Sequence, residues 1–474
     1  MSENEPNIDA SKSTPSTKPL SRDASFWGMV WTQFLGAFND NLFKQLMLLL
    51  AIPVAVVAVA DHDGAKQVAE AGAELDNEQV VPDVEKPDKK GDGQALATIV
   101  FSLPFVLFSG FAGYLSDRYS KRTIINLSKF AEIMIMALGM IGFLMFQKSG
   151  YNGLLLVLFL MGTQSAFFGP GKYGILPELF APFNLPKANG TIVMTTFLAI
   201  ILGTVAAGFL KDGLLDDGQP LMNQANRLWI GSAICIAIAV VGTATSFMVR
   251  KVSPAAPDLK LTASSFAIPT ETRRALFADR HLVCAILASS VFWLVSGIAI
   301  QAVNSLGITQ LKLNSTKTSI LAGVIAIGIA VGAMVAGKIS RGKTDFRIVR
   351  AGMWGIVIWL FVLSISRGGG RHLLGFGGSI PVLILLGFSA GLFAIPLQVF
   401  IQSRPADDQK GQMIAVMNQA NFIAILLSGV VYLGFDKLVD AQGWPRSYIF
   451  AMMAILVLPM AIFYRPTNDI LQEK

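Results

Sequence analysis

The sequence predicts an all-α membrane protein, with twelve transmembrane helices arranged as two six-helix pseudo-repeats. Three observations carry this prediction. Of 474 residues, 53% are hydrophobic and 15% charged, whereas a soluble chain carries roughly 25% charged residues. Apolar runs recur along the whole chain, most of them long enough for the ~20 residues of helix that cross a bilayer. Stretches in the first half also return, altered, in the second half at offsets of 224 and 226 residues.

Residues 1–25 are polar and rich in Ser, Pro and Lys, a composition that favours disorder. They lack the apolar core of a cleaved signal, so the first helix is expected to act as an uncleaved signal-anchor. Twelve apolar segments follow, near 26–58, 94–116, 123–147, 153–176, 190–210, 228–249, 281–305, 318–340, 348–366, 379–402, 412–434 and 448–464. The first is too long for one straight crossing and is expected to kink near Pro53 or to project into water. The last is short. The expected organisation is a cytoplasmic N-terminus (1–25), an N-terminal bundle (26–250), a cytoplasmic linker (251–277), a C-terminal bundle (278–464) and a cytoplasmic tail (465–474).

Even parity places both termini on one side. The face holding them carries 22 Lys and Arg, the other face 13, and Lys44, Lys129 and Lys172 lie within segments. By the positive-inside rule the termini are expected in the cytoplasm. The loop 61–93 carries ten acids against four bases, which suits the outer side.

The net charge of +7 is spread over short loops, so it reads as a topology signal and not as a nucleic-acid face. Cys235 and Cys284 both fall in apolar helices and form no disulfide framework. The three histidines are scattered without metal-ligand spacing, and no cofactor is implied. GKISRGKT at 337–344 matches a phosphate-binding loop, but that loop needs a strand before it and a soluble α/β domain around it. Here an apolar span precedes it.

GYLSDRYSKR at 113–122 joins spans two and three. Gly113 would let two helix backbones approach closely. Asp117, at a helix end, can accept hydrogen bonds from the unpaired amides of a neighbouring helix N-terminus. Arg118, Lys121 and Arg122 add positive-inside charge and ion-pair partners. Together they read as a conformational latch, although any short cytoplasmic loop carries basic residues. The partner stretch GKISRGKTDF at 337–346 has Arg341 where the first has Asp117.

FLGAFNDNLFKQ at 34–45 places Asn39, Asp40, Asn41 and Lys44 inside the first apolar run. Asp40 and Lys44 are four apart and can pair on one face. Asp40 lies ~21 Å along a helix that begins near Phe26, well inside the membrane. Ionisable groups at that depth face a water-filled cavity or a bundle interior, and function is the first hypothesis. The duller reading is a buried pair that fixes packing. Lys172 follows Gly169-Pro170-Gly171, which should break or kink its helix; its duller reading is snorkelling to the interface. Lys129 and Glu132, three apart, are expected to pair. Asn418, Gln419 and Asn421 read as interhelical glue.

The loop 113–122 resembles the G-x-L-x-D-R-x-x-[RK]-[RK] motif of the major facilitator superfamily. FLGAFNDNLFKQ and GPGKYGILPEL at 169–179 resemble its bacterial lysophospholipid transporter branch. The resemblance implies that helices 1, 4, 7 and 10 line a central cavity. That would group Asn39, Asp40, Asn41, Lys44, Gln164 and Lys172 with Gln301, Asn304, Gln398 and Gln402. It also implies alternating-access transport of lysophospholipid across the bacterial inner membrane for reacylation, with membrane lipids around it. The acyltransferase of such systems carries a His and an Asp separated by four residues. None of the three histidines here has that partner, so an acyltransferase would be a separate chain. The other reading is a proton-coupled carrier of another small amphipathic solute, working through Asp40 or Glu132.

Overall fold

The computed structural model describes residues 18–52, 93–181, 184–216, 219–260, 270–340, 345–367, 370–405 and 410–466. Their main helices are α1 (Ala24–Leu50), α2 (Gln94–Arg118), α3 (Lys121–Leu144), α4 (Phe146–Gly174), α5 (Leu185–Leu214), α6 (Trp229–Ser246), α7 (Arg280–Ser305), α8 (Ser315–Ser340), α9 (Phe346–Ser364), α10 (Gly375–Ser403), α11 (Lys410–Gln442) and α12 (Tyr448–Phe463). Ten of these, α2 to α11, are long and apolar enough to cross a membrane. α1 has 27 residues, about 40 Å of helix at 1.5 Å per residue, but carries the polar cluster. α12 is apolar but has only 16 residues. The protein is thus a multi-pass helical membrane protein in which ten spans, rather than twelve, stand on length and composition alone.

Where the helices begin follows from their caps. Asp23 precedes α1, and its Oδ1 accepts the amides of Ser25 (2.9 Å) and Phe26 (3.4 Å). Asp279 caps α7 in the same way, accepting from His281 (3.0 Å) and Leu282 (3.1 Å). Such caps satisfy amides that a helix start leaves without partners. α1 stops at Leu50, so the turn expected near Pro53, and the acidic loop up to residue 92, lie outside the described residues. α4 does not break at Pro170. It continues to Gly174, and its non-helical backbone is at Gly150, where φ is 57°.

Helices α1 to α6 pack mainly on one another, as do α7 to α12, while α5 meets α8 and α2 meets α11 across the two halves. α3 illustrates how sequence selects a face. Leu127, Phe130, Met134, Leu138 and Ile141 recur at helical spacing and are exposed, the surface that lipid would cover. Lys129, Glu132, Met136 and Gly139 point inward.

Small residues bring backbones together, because association in a bilayer depends on close packing. Gly328 and Gly332 of α8 face Gly387 and Gly391 of α10, two reciprocal G-x-x-x-G pairs. A Cβ added at any of the four would lie 2.1–2.4 Å from a carbonyl oxygen of the partner helix. α1 and α5 repeat the device once: a Cβ at Gly203 would lie 2.4 Å from the Phe38 oxygen.

The chain also contains elements that hydropathy does not reveal. A short helix, Thr270–Ala278, sits in the linker before α7. A two-residue antiparallel pair, Ser366–Arg367 with Arg371–His372, joins α9 to α10.

Candidate functional site

Two polar centres emerge at different levels of the molecule. The first lies inside the N-terminal half. Asp40, about 24 Å along α1 from Ala24, accepts a 2.6 Å hydrogen bond at Oδ2 from the Ser165 hydroxyl of α4. Oδ1 of Asp40 is buried and has no hydrogen-bond partner among the described residues. Gln164 is buried beside it, its Oε1 3.1 Å from the same hydroxyl. Lys44 does not form an ion pair with Asp40. Its Nζ lies 4.9 Å from the centre of the Phe101 ring of α2, a cation–π placement that suits a partly desolvated ammonium.

One residue away the side chains turn to a second use. Asn39 is fully buried and donates to Glu132 Oε1 (3.0 Å) and to the Cys235 carbonyl (3.1 Å), joining α1 to α3 and α6. Glu132 pairs with Lys129, and both side chains are only 1% exposed. Gly36 and Gly242 make room for Lys129: a Cβ at either would lie 3.1 Å from its Nζ. Both carboxylate oxygens of Glu132 are engaged, while Asn39 Oδ1 is buried with no hydrogen-bond partner among the described residues. Asn41 turns back to the Ala37 carbonyl of its own helix (2.7 Å). Lys172 lies half-buried near the end of α4.

The second centre bridges the halves near the helix ends distant from the chain termini. Asn304 of α7 accepts from Gln45 Nε2 of α1 (2.8 Å) and donates to Gln94 Oε1 of α2 (2.9 Å). Gln94 in turn donates to the Gln301 carbonyl (3.2 Å) and to the Tyr432 hydroxyl of α11 (3.4 Å). Leu49, Ile52 and Ile308 form an apolar plug at this level. Closer to the middle, Phe105 of α2 stacks on Phe422 of α11 with centroids 4.2 Å apart. The halves are therefore closed at the far end.

The expected residues thus divide. Asn39, Asp40, Lys44 and Gln164 share the first centre. Gln301 and Asn304 belong to the second: the Asn304 side chain joins the halves, whereas Gln301 takes part through its carbonyl, its side chain turning back to the Gly297 carbonyl of its own helix (3.0 Å). Gln398 is exposed, and the side chain of Gln402 lies outside the described residues. Sequence reading missed Ser165, Gln45 and Gln94. Gln45 and Gln94 sit near helix ends, where they resemble ordinary boundary residues, and Ser165 is a small hydroxyl that any membrane helix tolerates; only their coincidence on facing helices gives them meaning.

The loop 113–122 is tied down differently from the expectation. A Cβ at Gly113 would meet no heavy atom within 4 Å, so no close helix approach is made there. Asp117 is exposed, and its carbonyl accepts the Ala256 amide of the linker (2.9 Å). Arg118 donates to the Tyr114 hydroxyl and to the Leu259 carbonyl of the linker (3.1 Å). Lys121 pairs with Glu178 after α4, and Arg122 donates to the Phe247 carbonyl after α6 (3.0 Å). These contacts gather the N-terminal half and the linker.

Helical halves closed at one end around a buried polar centre define a membrane protein built like a transporter. The sequence profile of the Major Facilitator Superfamily matches residues 90–429, and the chain belongs to that superfamily. Among curated proteins it is similar to the lysophospholipid transporter LplT of Photorhabdus laumondii, 29% identical over 74% of this chain and 81% of the relative. The protein of that name from Escherichia fergusonii is 28% identical over 90% of this chain and 94% of the relative. Two solved structures share the fold at 12% identity. One is a POT family transporter in complex with 5-aminolevulinic acid (TM-score 0.66, 95% of this chain and 97% of that one). The other is a point mutant of the nucleoside transporter NupG (TM-score 0.59, 92% and 98%).

Proposed function

We propose that this chain is a secondary carrier that moves lysophospholipid by alternating access, toward the cytoplasmic leaflet of a bacterial inner membrane. A separate acyltransferase chain would then reacylate the cargo. The observation that carries the reading is Asp40, a carboxylate deep in a membrane helix with one oxygen held by Ser165 and the other unengaged. A buried acceptor without a partner is costly unless something completes it. The ammonium of an ethanolamine headgroup is suited to do so, and Lys44 offers a cation for the phosphate. The substrate class follows the curated relatives, which align over most of this chain.

An aromatic file on α2 and α4 suits the acyl chain. Phe108 and Phe111 both meet Phe167, and Phe101 and Phe105 continue the file past Lys44 toward α11. With both termini in the cytoplasm, as the Lys and Arg distribution favours, the far-end closure is the outer gate. The arrangement is then the inward-facing one. Rocking of two bundles about a midplane site would expose Asp40 to either side in turn. On this reading Gly113, Asp117, Arg118, Lys121 and Arg122 act as a latch in the opposite state, with Asp117 and Arg118 releasing the linker as the cytoplasmic side shuts.

The test is uptake of labelled lysophosphatidylethanolamine into proteoliposomes, with and without imposed ion gradients. Saturable uptake of the lipid supports the reading. No lipid uptake, together with proton-gradient-driven flux of a soluble amphipathic compound, would replace it with the proton-coupled alternative through Asp40 or Glu132.

A further inference from the structure

We propose that Asp212 is the lock of the far-end gate, working by capping α8 from the opposite half of the molecule. A helix start leaves several amides without intrahelical partners. At α8 the amide of Lys317 is taken locally by Asn314 Oδ1 (3.1 Å). The two amides before it are taken from across the gap: Ser315 N–H donates to Asp212 Oδ1 (2.9 Å) and Thr316 N–H to Asp212 Oδ2 (2.6 Å). Asp212 lies two residues before the end of α5, so each oxygen of one carboxylate holds one amide of a helix in the other half.

Two further features make this a built contact. Gly208, one turn earlier on α5, removes the side chain that would keep the helices apart. A Cβ there would lie 2.5 Å from the Ser315 oxygen and 2.7 Å from Ser319 Oγ. Ser319 also lies 3.5 Å from Gln45 Nε2, so the cap is continuous with the amide network around Asn304. The network is made of neutral amides and a phenol. The Asp212 contact places a full negative charge on the positive end of a helix dipole, and charge-assisted bonds of this kind are about twice as strong as neutral ones. Any motion that parts α5 from α8 must break both bonds at once. Asp212 therefore sets the population of the far-end-closed state, while the loop 113–122 ties only its own half and the linker. The lock matters to function only if the far end opens during a cycle, and so rests on the carrier reading.

The experiment measures distances between spin labels at Met222 and Leu373, exposed positions at the far ends of the two halves. It uses the full-length protein in lipid nanodiscs, with Cys235→Ala and Cys284→Ala as background. Asp212→Asn replaces one acceptor by an amide that faces the α8 amides. Ser315→Pro removes one donor from the other side while suiting the first turn of a helix. Each variant is expected to raise the far-end-open population about fivefold, the effect of losing a cap. The double variant is expected to shift it by less than the two single effects combined, because both act on one two-bonded contact. An unchanged distance distribution in Asp212→Asn overturns the lock, as does full additivity of the two variants. Should Asp212→Asn fail to assemble, Ser315→Pro decides by the same shift or its absence. Lack of lipid uptake by the wild type would remove the cargo reading and leave these distances unaffected. An unmoved distribution in a protein that does transport would remove the lock alone.

Discussion

In the N-terminal half the first helix opens on Asp23, which caps two amides and pairs with Arg250 at 3.0 Å. In the C-terminal half the first helix opens on Asp279, which caps two amides and pairs with Arg404 at 2.8 Å. Arg250 follows the last helix of its half, whereas Arg404 follows α10. Beyond these similar frames the interiors diverge. The first half sets Lys129, Glu132 and Asp40 around α1 and α3. At similar depth the second half buries Asn421, which meets Ser289 (3.2 Å) and Ser290 (3.4 Å) between α11 and α7. The difference teaches that a repeat can keep the capping that orients its helices while its interior chemistry changes. Among the described residues the first half sets buried ionic groups mid-helix, whereas the second keeps its buried carboxylate, Asp436 paired with Arg446, toward the far end of α11 and supplies amides, hydroxyls and the capped helix that the first half clasps.

If charge in the first half handles cargo, its loss should have the largest effect. Asp40→Asn is expected to reduce lysophospholipid uptake about 100-fold, as befits a lost charge-assisted contact, while the protein still inserts and folds. Asn421→Ala, the matching excision in the second half, should retain most of the flux in the same proteoliposome assay.

Next in size is the closed ion pair. Lys129→Met alone leaves Glu132 as an uncompensated buried charge and is expected to cost about 3–5 kcal/mol. Lys129→Met with Glu132→Gln should recover most of that. Thermal unfolding in detergent reads both, and equal losses in the single and double variants would deny that the pair acts as a unit.

The frame itself should be worth less. Asp279→Ala removes a cap and is expected to cost about 1 kcal/mol. Burial alone would raise the Asp279 carboxyl, but hydrogen bonds from Arg404 and from the Leu282 and His281 amides outweigh it and hold the group below the ordinary carboxylate range. A lowered folded value means that its stabilisation is present at neutral pH and is lost as pH falls through that value. Unfolding followed between about pH 3 and 7 should therefore show a shallower acid limb for Asp279→Ala than for the wild type. The smallest expected effect is at the cross-half stack. Phe422→Leu keeps the apolar bulk and loses only the ring stacking, so it should cost about 0.5 kcal/mol, seen as a modest loss of the far-end-closed population in the spin-label distances.

How much of this was legible in the sequence follows from the range over which each signal acts. Helix positions come from hydropathy, a property of each segment alone, and the observed boundaries of α2 to α11 fall within several residues of those expected. The Lys129–Glu132 pair was legible because both partners sit three apart on one helix. Gly113 makes no close approach in this conformation, because a glycine permits such an approach without requiring it, and the facing helix is a tertiary fact. Pro170 lies inside a helix that runs on to Gly174, which neighbouring helices in a bundle can support. Nothing in the sequence around Asp212 marks it out. Its meaning depends on Ser315 and Thr316, more than a hundred residues away.

The measurement that bears most directly on the account is modification of Ser165→Cys, the position that holds Asp40, in the Cys235→Ala, Cys284→Ala background. The reagent is a charged, membrane-impermeant thiol compound added separately from each side of sealed vesicles. The account predicts labelling from the side that bears the termini, slowed by lysophosphatidylethanolamine. A folded protein that stays unlabelled from both sides would mean that Asp40 lies in dry packing, and the account would be wrong.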